Sequence, residues 1–492
     1  MKNREKETEY LNHGQGYKYK WCGWTYVHIE GEPFERGEQY GFLVREEFEK
    51  LVNITKKMTY HLYGVPYEYF VEKAVPLMKS KIPAEFLEEM DGFASGLTKA
   101  GLKTSLNDII GWNAYPGMSY WWAAYGMNEY IQEGMKRAGM PADNFGAIVK
   151  GPKRHGHCSA FAATGNATID GKMVIAHQTF DDFWNAGSMN IMLDLKPTRG
   201  ARILMQTAPG YIWSNTDFFI CKSEEHNSCI AGLETTIIET TTFVIDAIPE
   251  WVRARKAMQY GYSIQQWIDL MQEGNNGSNP GSWLLGDAKT NEIGRLEQGY
   301  LFQNIEIKKD GHFFGCNCVE DPRIRNLECT DVGFNDIRRQ TGGRRTRWLQ
   351  LMKEYSGKID VEAAKIIMAD TINVYAQQND LAGNIIPGQT NINQGGANTI
   401  CSMYDKDPRY FFSSLSGAWP DPYTPAGSLD AKITSSDLMN DNMTMKAIWG
   451  RANGEAFDAQ KFLERHPQWE WQKDCLESRP SQSWTEFWAE EF

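Results

Sequence analysis

Cys158 is the residue of this chain with the clearest capacity for chemistry. It follows a polar run, residues 150–157, and begins an apolar segment typical of a strand. A cut before Cys158 would leave it with a free α-amino group beside its thiol. An α-amine has a reference pKa of about 7.7–8.0, so it can serve as the base for that thiol. The sequence predicts cleavage between His157 and Cys158, with residues 143–157 as the exposed loop that is cut; a buried, inert thiol is the alternative.

Three polar residues downstream are candidates to assist such a nucleophile. His177 ends the next apolar strand, nineteen residues after Cys158, and adjacent strands would bring it near the thiol. Asp181 follows and is predicted either to fix the terminal ammonium group or to cap a turn. Asn317, between two cysteines after an apolar stretch, is predicted to donate to an oxyanion. Turn formation is the alternative for Asn317, and a structural hydrogen bond is the alternative for His177.

A strand-like segment at 233–237 supplies two more candidates. Its sequence is Leu-Glu-Thr-Thr-Ile, and the hydroxyls of Thr235 and Thr236 could line a substrate site. The alternative is an ordinary core strand, which threonine favours. Motifs for phosphate loops, serine-hydrolase elbows and zinc proteases are missing from the sequence. Cys316 and Cys318 lack a second ligand pair, so we expect neither a metal nor a cofactor.

Composition limits the classes of partner. The chain has 492 residues, a formal net charge of −12 and 13% aromatic residues, which indicates a globular protein and argues against nucleic acid as a partner. No apolar run reaches the roughly 18 residues that span a bilayer, so stable membrane insertion is not expected. Nine cysteines at irregular spacing, and a start without the apolar core of a signal peptide, favour a cytoplasmic location. Formation of a homo-oligomer stays open.

The periodicity of apolar residues changes at Cys158. Residues 1–20 are predicted to be a polar arm, followed by a strand at 24–29 and a mainly helical stretch. The first predicted helix of that stretch begins at Pro33. The other three are predicted at about 43–62, 83–100 and 105–115. Beyond residue 157, predicted strands lie at 158–164, 172–177, 188–195, 201–207, 217–222, 228–232, 234–243, 282–287, 293–298, 398–404 and 408–415. Helices are predicted at 249–257, 263–273, 343–355 and 360–370.

These elements predict an α+β protein with a four-layer αββα core, preceded by a mainly helical N-terminal region. The predicted boundary between the N-terminal region and the catalytic region is the cleavage site before Cys158. Residues 1–157 form an N-terminal region that acts as a propeptide or small subunit. Residues 158–492 form the catalytic region, and the two fragments are expected to stay together as partners.

Several motifs together resemble the phospholipase B-like proteins and the related isopenicillin N acyltransferase-like branch of N-terminal nucleophile hydrolases. The run His-Gln-Thr-Phe-Asp at 177–181 is similar to the phospholipase B-like His-Ser-Thr-Trp-Asp. The segment 233–237 matches the Leu-Glu-Thr-Thr-Ile of that family, and 427–434 resembles its Gly-Gly-Ile-Asp-x-Lys-x-Thr. Residues 30–41, 88–96 and 113–115 look like the opening elements of the acyltransferase branch.

The resemblance implies an N-terminal nucleophile hydrolase core in which Cys158 is the autoproteolytic residue and Asn317 the oxyanion-hole amide. His177, Asp181 and Thr235 would then position the nucleophile or substrate, and Phe180 and Thr236 would contact substrate. Phe180 replaces the Trp of the family, so a ring N–H is lost.

The implied substrate is a small acyl-amide or a lipid-like acyl ester. The implied activity is hydrolysis through a thioester, with acyl transfer to an amine, or binding without catalysis, as alternatives. The acyltransferase branch carries an Arg where this chain reads Gln-Gly-Gly-Ala-Asn-Thr at 394–399, which argues against a penicillin-like carboxylate substrate.

Overall fold

Seventeen strands and fifteen helices follow one another in the computed structural model, which describes residues 10–140, 158–238, 240, 242–330, 333–381, 399–406 and 424–490. The strands are β1 (Leu11–His13), β2 (Gly16–Trp21), β3 (Trp24–Gly31), β4 (Cys158–Gly165), β5 (Gly171–Asp182), β6 (Ile191–Pro197), β7 (Arg202–Thr207), β8 (Phe218–Ser223), β9 (Ser228–Thr236), β10 (Gly281–Asp287), β11 (Ile293–Gln298), β12 (Gln303–Lys308), β13 (Gly311–Gly315), β14 (Ala426–Ser428), β15 (Asp430–Ser435), β16 (Met445–Trp449) and β17 (Thr485–Phe487). The helices are α1 (Pro33–Leu43), α2 (Arg45–Tyr63), α3 (Tyr67–Met78), α4 (Ala84–Lys99), α5 (Leu106–Trp121), α6 (Met127–Arg137), α7 (Phe183–Ala186), α8 (Glu250–Tyr260), α9 (Ile264–Gln272), α10 (Pro322–Leu327), α11 (Gln340–Glu354), α12 (Val361–Met368), α13 (Val374–Leu381), α14 (Ser436–Asn440) and α15 (Ala459–Arg465).

The strands assemble into two sheets. The first has ten strands in the order β1-β2-β3-β6-β7-β8-β9-β10-β11-β12, and its pairs are antiparallel except β3 with β6. The second has seven strands; β13-β4-β5-β15-β16-β17 form an antiparallel row, and β14 pairs separately with β5. The first sheet contains strands from both sides of residue 157, because β3 lies directly against β6.

Helices cover the outer face of each sheet, so the layers run helix, sheet, sheet, helix. Inner-face residues Ala160 and Ile175 of the second sheet share one hydrophobic core with Leu193 and Leu233 of the first. On the far side of the second sheet, Phe161 packs in another core with the residues of α11 and α12. On the far side of the first sheet, α8 and α9 pack against β7, β8, β10 and β11. The predicted α+β class and αββα layering are confirmed.

Two N-terminal helices pack unusually closely because glycines line their contact. A Cβ atom added at Gly37 of α1 would lie 1.9 Å from the Glu89 carbonyl oxygen of α4. One added at Gly96 of α4 would lie 2.1 Å from the Glu38 carbonyl oxygen. The close approach lets Arg36 of α1 reach the Glu89 carboxylate at 2.7 Å. This contact fixes α1 and α4 together beside the first sheet.

Three local predictions are wrong. The predicted arm at 1–20 contains β1 and β2, whose buried Tyr17 and Tyr19 alternate with lysines; the polar composition concealed a period of two. The strand predicted at 234–243 ends at Thr236 and is continuous with 228–232, because the Ile237 N–H bonds to Pro280 outside the ladder. Within the described residues 399–406, a bridge and a 3₁₀ turn replace the strand predicted at 398–404.

Some predictions fall outside the described residues. They are the exposed loop at 143–157, the strand at 408–415 and positions 394–398. Helices α3 and α6 were not predicted; α3 carries Pro76 inside its apolar pattern, which is normally a helix-ending signal. Among the described helices, none combines the length and apolar character needed to cross a bilayer.

Candidate active site

Cys158 is the first residue of β4, in the interior of the second sheet. Its side chain is buried, and it lies directly opposite Thr179 of β5. Opposite residues of an antiparallel pair project from the same face. Cys158 therefore shares with Thr179, and with Ala160 two residues on, the face that packs on the ten-stranded sheet. The predicted nucleophile lies between the two sheets.

Asn317 is adjacent to the nitrogen of Cys158. The Cys158 N–H donates to Asn317 Oδ1 at 3.2 Å, and Asn317 Nδ2 donates to the carbonyl of Thr236 at 2.9 Å. Asn317 follows β13 and has a left-handed φ of 63° although it is buried. An Asn amide nitrogen carries two hydrogens, and Thr236 takes one of them. The second can serve an oxyanion, so the predicted role is compatible with this geometry.

Arg344, on α11, fixes the orientation of that amide. Its guanidinium donates to Asn317 Oδ1 at 2.7 Å and also to the carbonyl oxygen of Cys158. The side chain is fully buried and lies over the Phe180 ring, 5.1 Å from its centre. Phe180 therefore faces α11 rather than the space between the sheets, and its predicted contact with substrate stays a prediction. A charged donor is stronger than a neutral one, so Arg344 firmly sets the position of Cys158 and Asn317.

His177 lies on the same face as Cys158, opposite Ala160 and Lys432. Its Nε2 is 2.9 Å from the Glu234 carbonyl oxygen, and a carbonyl can only accept, so Nε2 carries the hydrogen. Nδ1 is then an unprotonated acceptor, and it is buried without a hydrogen-bond partner among the described residues. Burial, followed by the positive charge of Lys432, holds the His177 pKa well below its usual range. The ring is neutral at physiological pH.

The predicted threonines are adjacent but differ in their contacts. Thr235 projects toward the second sheet, where Gly315 leaves room for it. Its buried hydroxyl has no partner in the described part of the chain. Thr236 donates its hydroxyl to Glu234 at 3.1 Å, while its carbonyl binds Asn317. Of the two threonines, Thr235 is therefore the one whose hydroxyl lies between the sheets and can bind a substrate.

Asp181 lies at the end of β5 and takes part in a turn. Its carboxylate accepts from the backbone N–H of Asp182 at 2.7 Å and from Asn185 at 3.2 Å. These contacts are typical of the capping alternative considered for this residue. His157, the other half of the predicted cleavage site, lies outside the described residues.

A buried ion pair supports the cross-strand partner of Cys158. Lys432 donates to the hydroxyl of Thr179 and to Asp430, each at 2.7 Å, and both charged side chains are fully buried. The second Asp430 oxygen accepts from Gln206 at 2.7 Å. Thr179 in turn donates to the carbonyl oxygen of Thr216 at 3.3 Å, which joins the second sheet to the segment that precedes β8. The network places the backbone of Thr216 beside Thr179, the cross-strand partner of Cys158.

Three buried carboxyl groups, of Asp217, Glu234 and Glu250, form a separate cluster on the ten-stranded sheet and α8. Burial raises the Asp217 pKa to about 7, and burial with the neighbouring acids raises the pKa values of Glu234 and Glu250 well above their usual range. Asp217, Glu234 and Glu250 each have one buried carboxyl oxygen for which the described ranges supply no partner. At neutral pH this cluster holds protons that ordinary carboxyl groups would have released.

Burial and several nearby charges together determine the pKa of the Cys158 thiol. Burial raises its pKa, the negative charges of Asp217 and Glu234 raise it further, and Lys432 and the Phe180 N–H act in the opposite direction. The thiol is therefore protonated and needs a base before it can attack a carbonyl. Within the described part of the chain, no group of three or more His, Cys, Asp or Glu side chains is arranged to hold a metal ion.

Sequence reasoning missed Arg344, Asp217 and Lys432. Arg344 lies in the arginine-rich run of α11, which looks like a solvent-exposed face, and nothing in the sequence connects it to Cys158. Asp217 precedes an apolar strand and resembles an ordinary turn residue. Lys432 had a signal, because Asp430 and Lys432 alternate with apolar residues in a strand whose faces are both buried.

Comparison with curated proteins gives one distant relative from Archaeoglobus fulgidus. It is described as an uncharacterized protein and is 22% identical over 278 residues, 54% of this chain and 42% of the relative. The matched part of this chain therefore spans less than half the length of that protein. Its description assigns no activity.

The phospholipase B family model matches residues 84–310. This range includes Cys158, His177 and Thr235, and it ends shortly before Asn317. The matched part of the chain contributes the whole of β4 to β12, from the strand that begins with Cys158 to the edge of the ten-stranded sheet. The resemblance to phospholipase B-like proteins that the motifs predicted is thus confirmed for the part of the chain that carries Cys158.

Proposed function

We propose that this chain is an autoprocessed cysteine hydrolase of the N-terminal nucleophile type, which cleaves an acyl bond through a thioester. The observation that carries the proposal is the buried contact between the Cys158 nitrogen and Asn317 Oδ1 at 3.2 Å. The oxygen of this amide accepts the N–H of Cys158, and its nitrogen keeps one hydrogen that can be donated to a substrate oxyanion. The family match over residues 84–310 supports an acyl ester of a lipid as the substrate class.

Maturation begins with attack of the Cys158 sulfur on the carbonyl carbon of His157. The S–C bond forms as the C–N bond breaks, and the thiol proton ends on the Cys158 nitrogen. Water then hydrolyses the thioester, giving a carboxylate at His157 and restoring the thiol. The product is an enzyme of two fragments, residues 1–157 and 158–492, that stay joined through the ten-stranded sheet.

In turnover the free amine of Cys158 replaces the lost peptide nitrogen as a base. It takes the thiol proton while sulfur attacks the substrate carbonyl, and Asn317 Nδ2 donates to the developing oxyanion. The resulting ammonium group protonates the leaving alcohol or amine, and water resolves the thioester. Asn317 Oδ1 is already placed to accept from that amine, while His177 and Thr235 position nucleophile or substrate.

Cys158→Ala is the direct test. The wild-type chain should give two fragments, the larger beginning at Cys158, and should release fatty acid from lysophospholipids or N-acyl amines. Cys158→Ala should remain one chain and lose turnover completely, because no other thiol lies at that position. Intact mass, N-terminal sequencing and fatty-acid release measure both effects.

Cys229→Ala is the matched control, since Cys229 is also a buried strand cysteine but bonds to Met439 rather than Asn317. It should cleave and turn over like the wild type. A wild-type chain that stays uncut on long incubation and releases no fatty acid would contradict the proposal and favour a binding protein. Acyl transfer is distinguished by adding a primary amine and looking for the acylated amine.

A further inference from the structure

Two cysteines flank the residue that the proposed function uses as its oxyanion donor. Cys316 and Cys318 come directly before and after Asn317, and both side chains are buried. Their sulfur atoms lie 3.3 Å apart. Among the described residues, these are the cysteines whose sulfur atoms contact each other. The proposed mechanism uses neither thiol, although both lie one residue from a group that it needs.

The backbone between the two cysteines is compatible with a disulfide. Residues two positions apart have Cα atoms no more than about 7 Å apart, and disulfides join Cα atoms that are about 4.4–6.8 Å apart. Asn317 has a left-handed φ of 63°, so the chain turns between the cysteines. Both cysteine side chains belong to the core cluster that includes Trp348 of α11. The two sulfurs are therefore on one side of the loop and already in contact.

The two thiols differ in acidity. Burial opposes ionisation of Cys316, but the hydrogen bond from Cys318 and the charge of Arg344 hold its pKa below the usual range. The same hydrogen bond, followed by burial, raises the pKa of Cys318. Glu320 opposes ionisation of both thiols, and Arg345 favours that of Cys318. Cys316 is thus the more readily ionised thiol, and the thiolate is the form that reacts with peroxide.

The loop that carries the cysteines also holds the contact with the nucleophile. Asn317 accepts the Cys158 N–H at 3.2 Å and the Arg344 guanidinium at 2.7 Å, and it donates to the Thr236 carbonyl at 2.9 Å. A covalent bond would draw the two sulfurs together by more than about 1 Å. Because a protein core is closely packed, this approach moves the backbone of Asn317 as well as the two side chains. An oxyanion donor that is misplaced in this way no longer stabilises the transition state fully.

We propose that hydrogen peroxide joins Cys316 and Cys318 in a disulfide that displaces Asn317 and reversibly stops the hydrolase. The inference rests on the proposed function, because it concerns control of that site. The Cys316 thiolate attacks one peroxide oxygen; the S–O bond forms as the O–O bond breaks, and the departing hydroxide takes the proton that Cys316 released. The Cys318 sulfur then attacks the Cys316 sulfur, and its proton leaves with the hydroxyl group as water. Both sulfurs are oxidised, the peroxide is reduced to two waters, and an added dithiol restores both thiols.

Mass spectrometry of one tryptic peptide measures the bond itself. Trypsin releases residues 310–323, which contain Cys316 and Cys318 and no other cysteine. The full-length Cys158→Ala chain, which has no thiol at residue 158, is treated with hydrogen peroxide, then with catalase and an alkylating reagent. The peptide should lose the mass of two hydrogen atoms and bind no reagent, and a dithiol should restore both reactive thiols. A peptide that keeps two reactive thiols, or that gains oxygen at Cys316 without forming the disulfide, would overturn the inference.

Fatty-acid release measures the effect of the bond on the site. Peroxide should lower wild-type kcat by about 10²-fold, the usual cost of losing an oxyanion donor. The loss should follow the fraction of peptide 310–323 that holds the disulfide, and a dithiol should reverse it. Cys318→Ser should keep the turnover of the reduced wild type and lose far less on treatment.

Cys229→Ser is the matched control, because its buried sulfur bonds to the Met439 carbonyl oxygen rather than to another sulfur. It should respond to peroxide like the wild type. Oxidation of Cys158 itself would inactivate all of these chains alike, so the difference between them measures the pair. If Cys318→Ser fails to fold, the wild type decides: a loss that follows the disulfide fraction supports the inference, and a loss unrelated to it overturns the inference.

The outcomes separate this inference from the proposed function. A reduced wild-type chain that is never cut before Cys158 and releases no fatty acid would remove the proposed function, and with it the site that the pair controls. A reduced wild-type chain that is cut and active, but keeps its turnover when the disulfide forms, would leave the proposed function standing and overturn the role of Cys316 and Cys318. Equal losses in the wild type and in Cys318→Ser would do the same.

Discussion

Two clusters of buried carboxyl groups in this chain have opposite protonation behaviour. In the first, Glu89 of α4 is bound by Arg36 at 2.7 Å and by Arg255 at 2.9 Å, so every charge is paired. Burial opposes ionisation of Glu89, but Arg255 and Arg36 outweigh it and hold its pKa below the usual range. In the second, no arginine of the described residues pairs with Asp217 or Glu234, and both pKa values are raised.

The difference teaches which buried acids are structural and which can do chemistry. A carboxylate clamped between two guanidinium groups cannot exchange its proton near neutral pH, so it can only hold helices together. A carboxyl group balanced near neutrality, with one oxygen unpartnered, can give and take a proton. Both clusters contain buried carboxyl groups, and the arginine partners of the first cluster separate the two.

Removal of Glu89 should have the largest effect on stability. Glu89→Leu leaves Arg36 and Arg255 buried without an acid, and breaking a buried pair in this way costs about 3–5 kcal/mol. Glu234→Leu removes a carboxyl group that is already neutral, so it should cost no more than about 1 kcal/mol at pH 7. Urea denaturation of both variants measures the free energy of unfolding. Equal losses in the free energy of unfolding would show that Glu89 and Glu234 contribute to stability in the same way.

Gly37→Ala tests the helix contact that brings Arg36 to Glu89. The added Cβ would lie 1.9 Å from a backbone oxygen of α4, so α1 must move away, at a cost of about 1–3 kcal/mol. Gly134→Ala in α6 is the matched control, because nothing lies within 4 Å of its Cβ position. That control should instead gain roughly 0.5–1 kcal/mol from helix propensity. Thermal melting of the two variants should therefore move in opposite directions.

Much of the fold was predictable because local patterns carry it. The change in the period of apolar residues at Cys158 predicted the strands from β4 to β8. Pro249 and Ser105 predicted where α8 and α5 begin. The N-terminal strands were missed because β2 alternates tyrosine with lysine inside a polar segment. Their place at the edge of the first sheet depends on β3 pairing with β6, a contact across more than 150 residues that no local pattern records.

The site was predictable only where one residue type suggested one reaction. Cys158 and Asn317 were predicted in this way, and in the structure the Cys158 nitrogen lies 3.2 Å from Asn317 Oδ1. Arg344 and Asp217 were missed because an arginine and an aspartate have many ordinary roles. Their significance depends on burial and on partners that lie far away along the chain, 186 positions in the case of Arg344 and Cys158. Such partners are set by sheet stacking, which the sequence does not show residue by residue.

The smallest expected effect is a gain in stability from Asp217→Asn. The Asp217 pKa is about 7 in the folded chain against a reference of 3.8, so between these values the folded state holds a proton that the unfolded state has released. Stability therefore falls as pH rises through this window, and is not affected below it. The substitution would remove that loss; since the new amide is still buried, the net gain should be on the order of 1 kcal/mol at about pH 7.5.

The comparison is best made in a Cys158→Ala background, which keeps every chain uncut. Melting temperatures of Cys158→Ala and of Cys158→Ala with Asp217→Asn should differ most above pH 7 and converge near pH 4. A difference that does not depend on pH would mean that Asp217 ionises normally and belongs with Glu89. A difference that grows as pH rises would show instead that burial keeps Asp217 protonated in the folded chain, and that this acid lowers the stability of the fold.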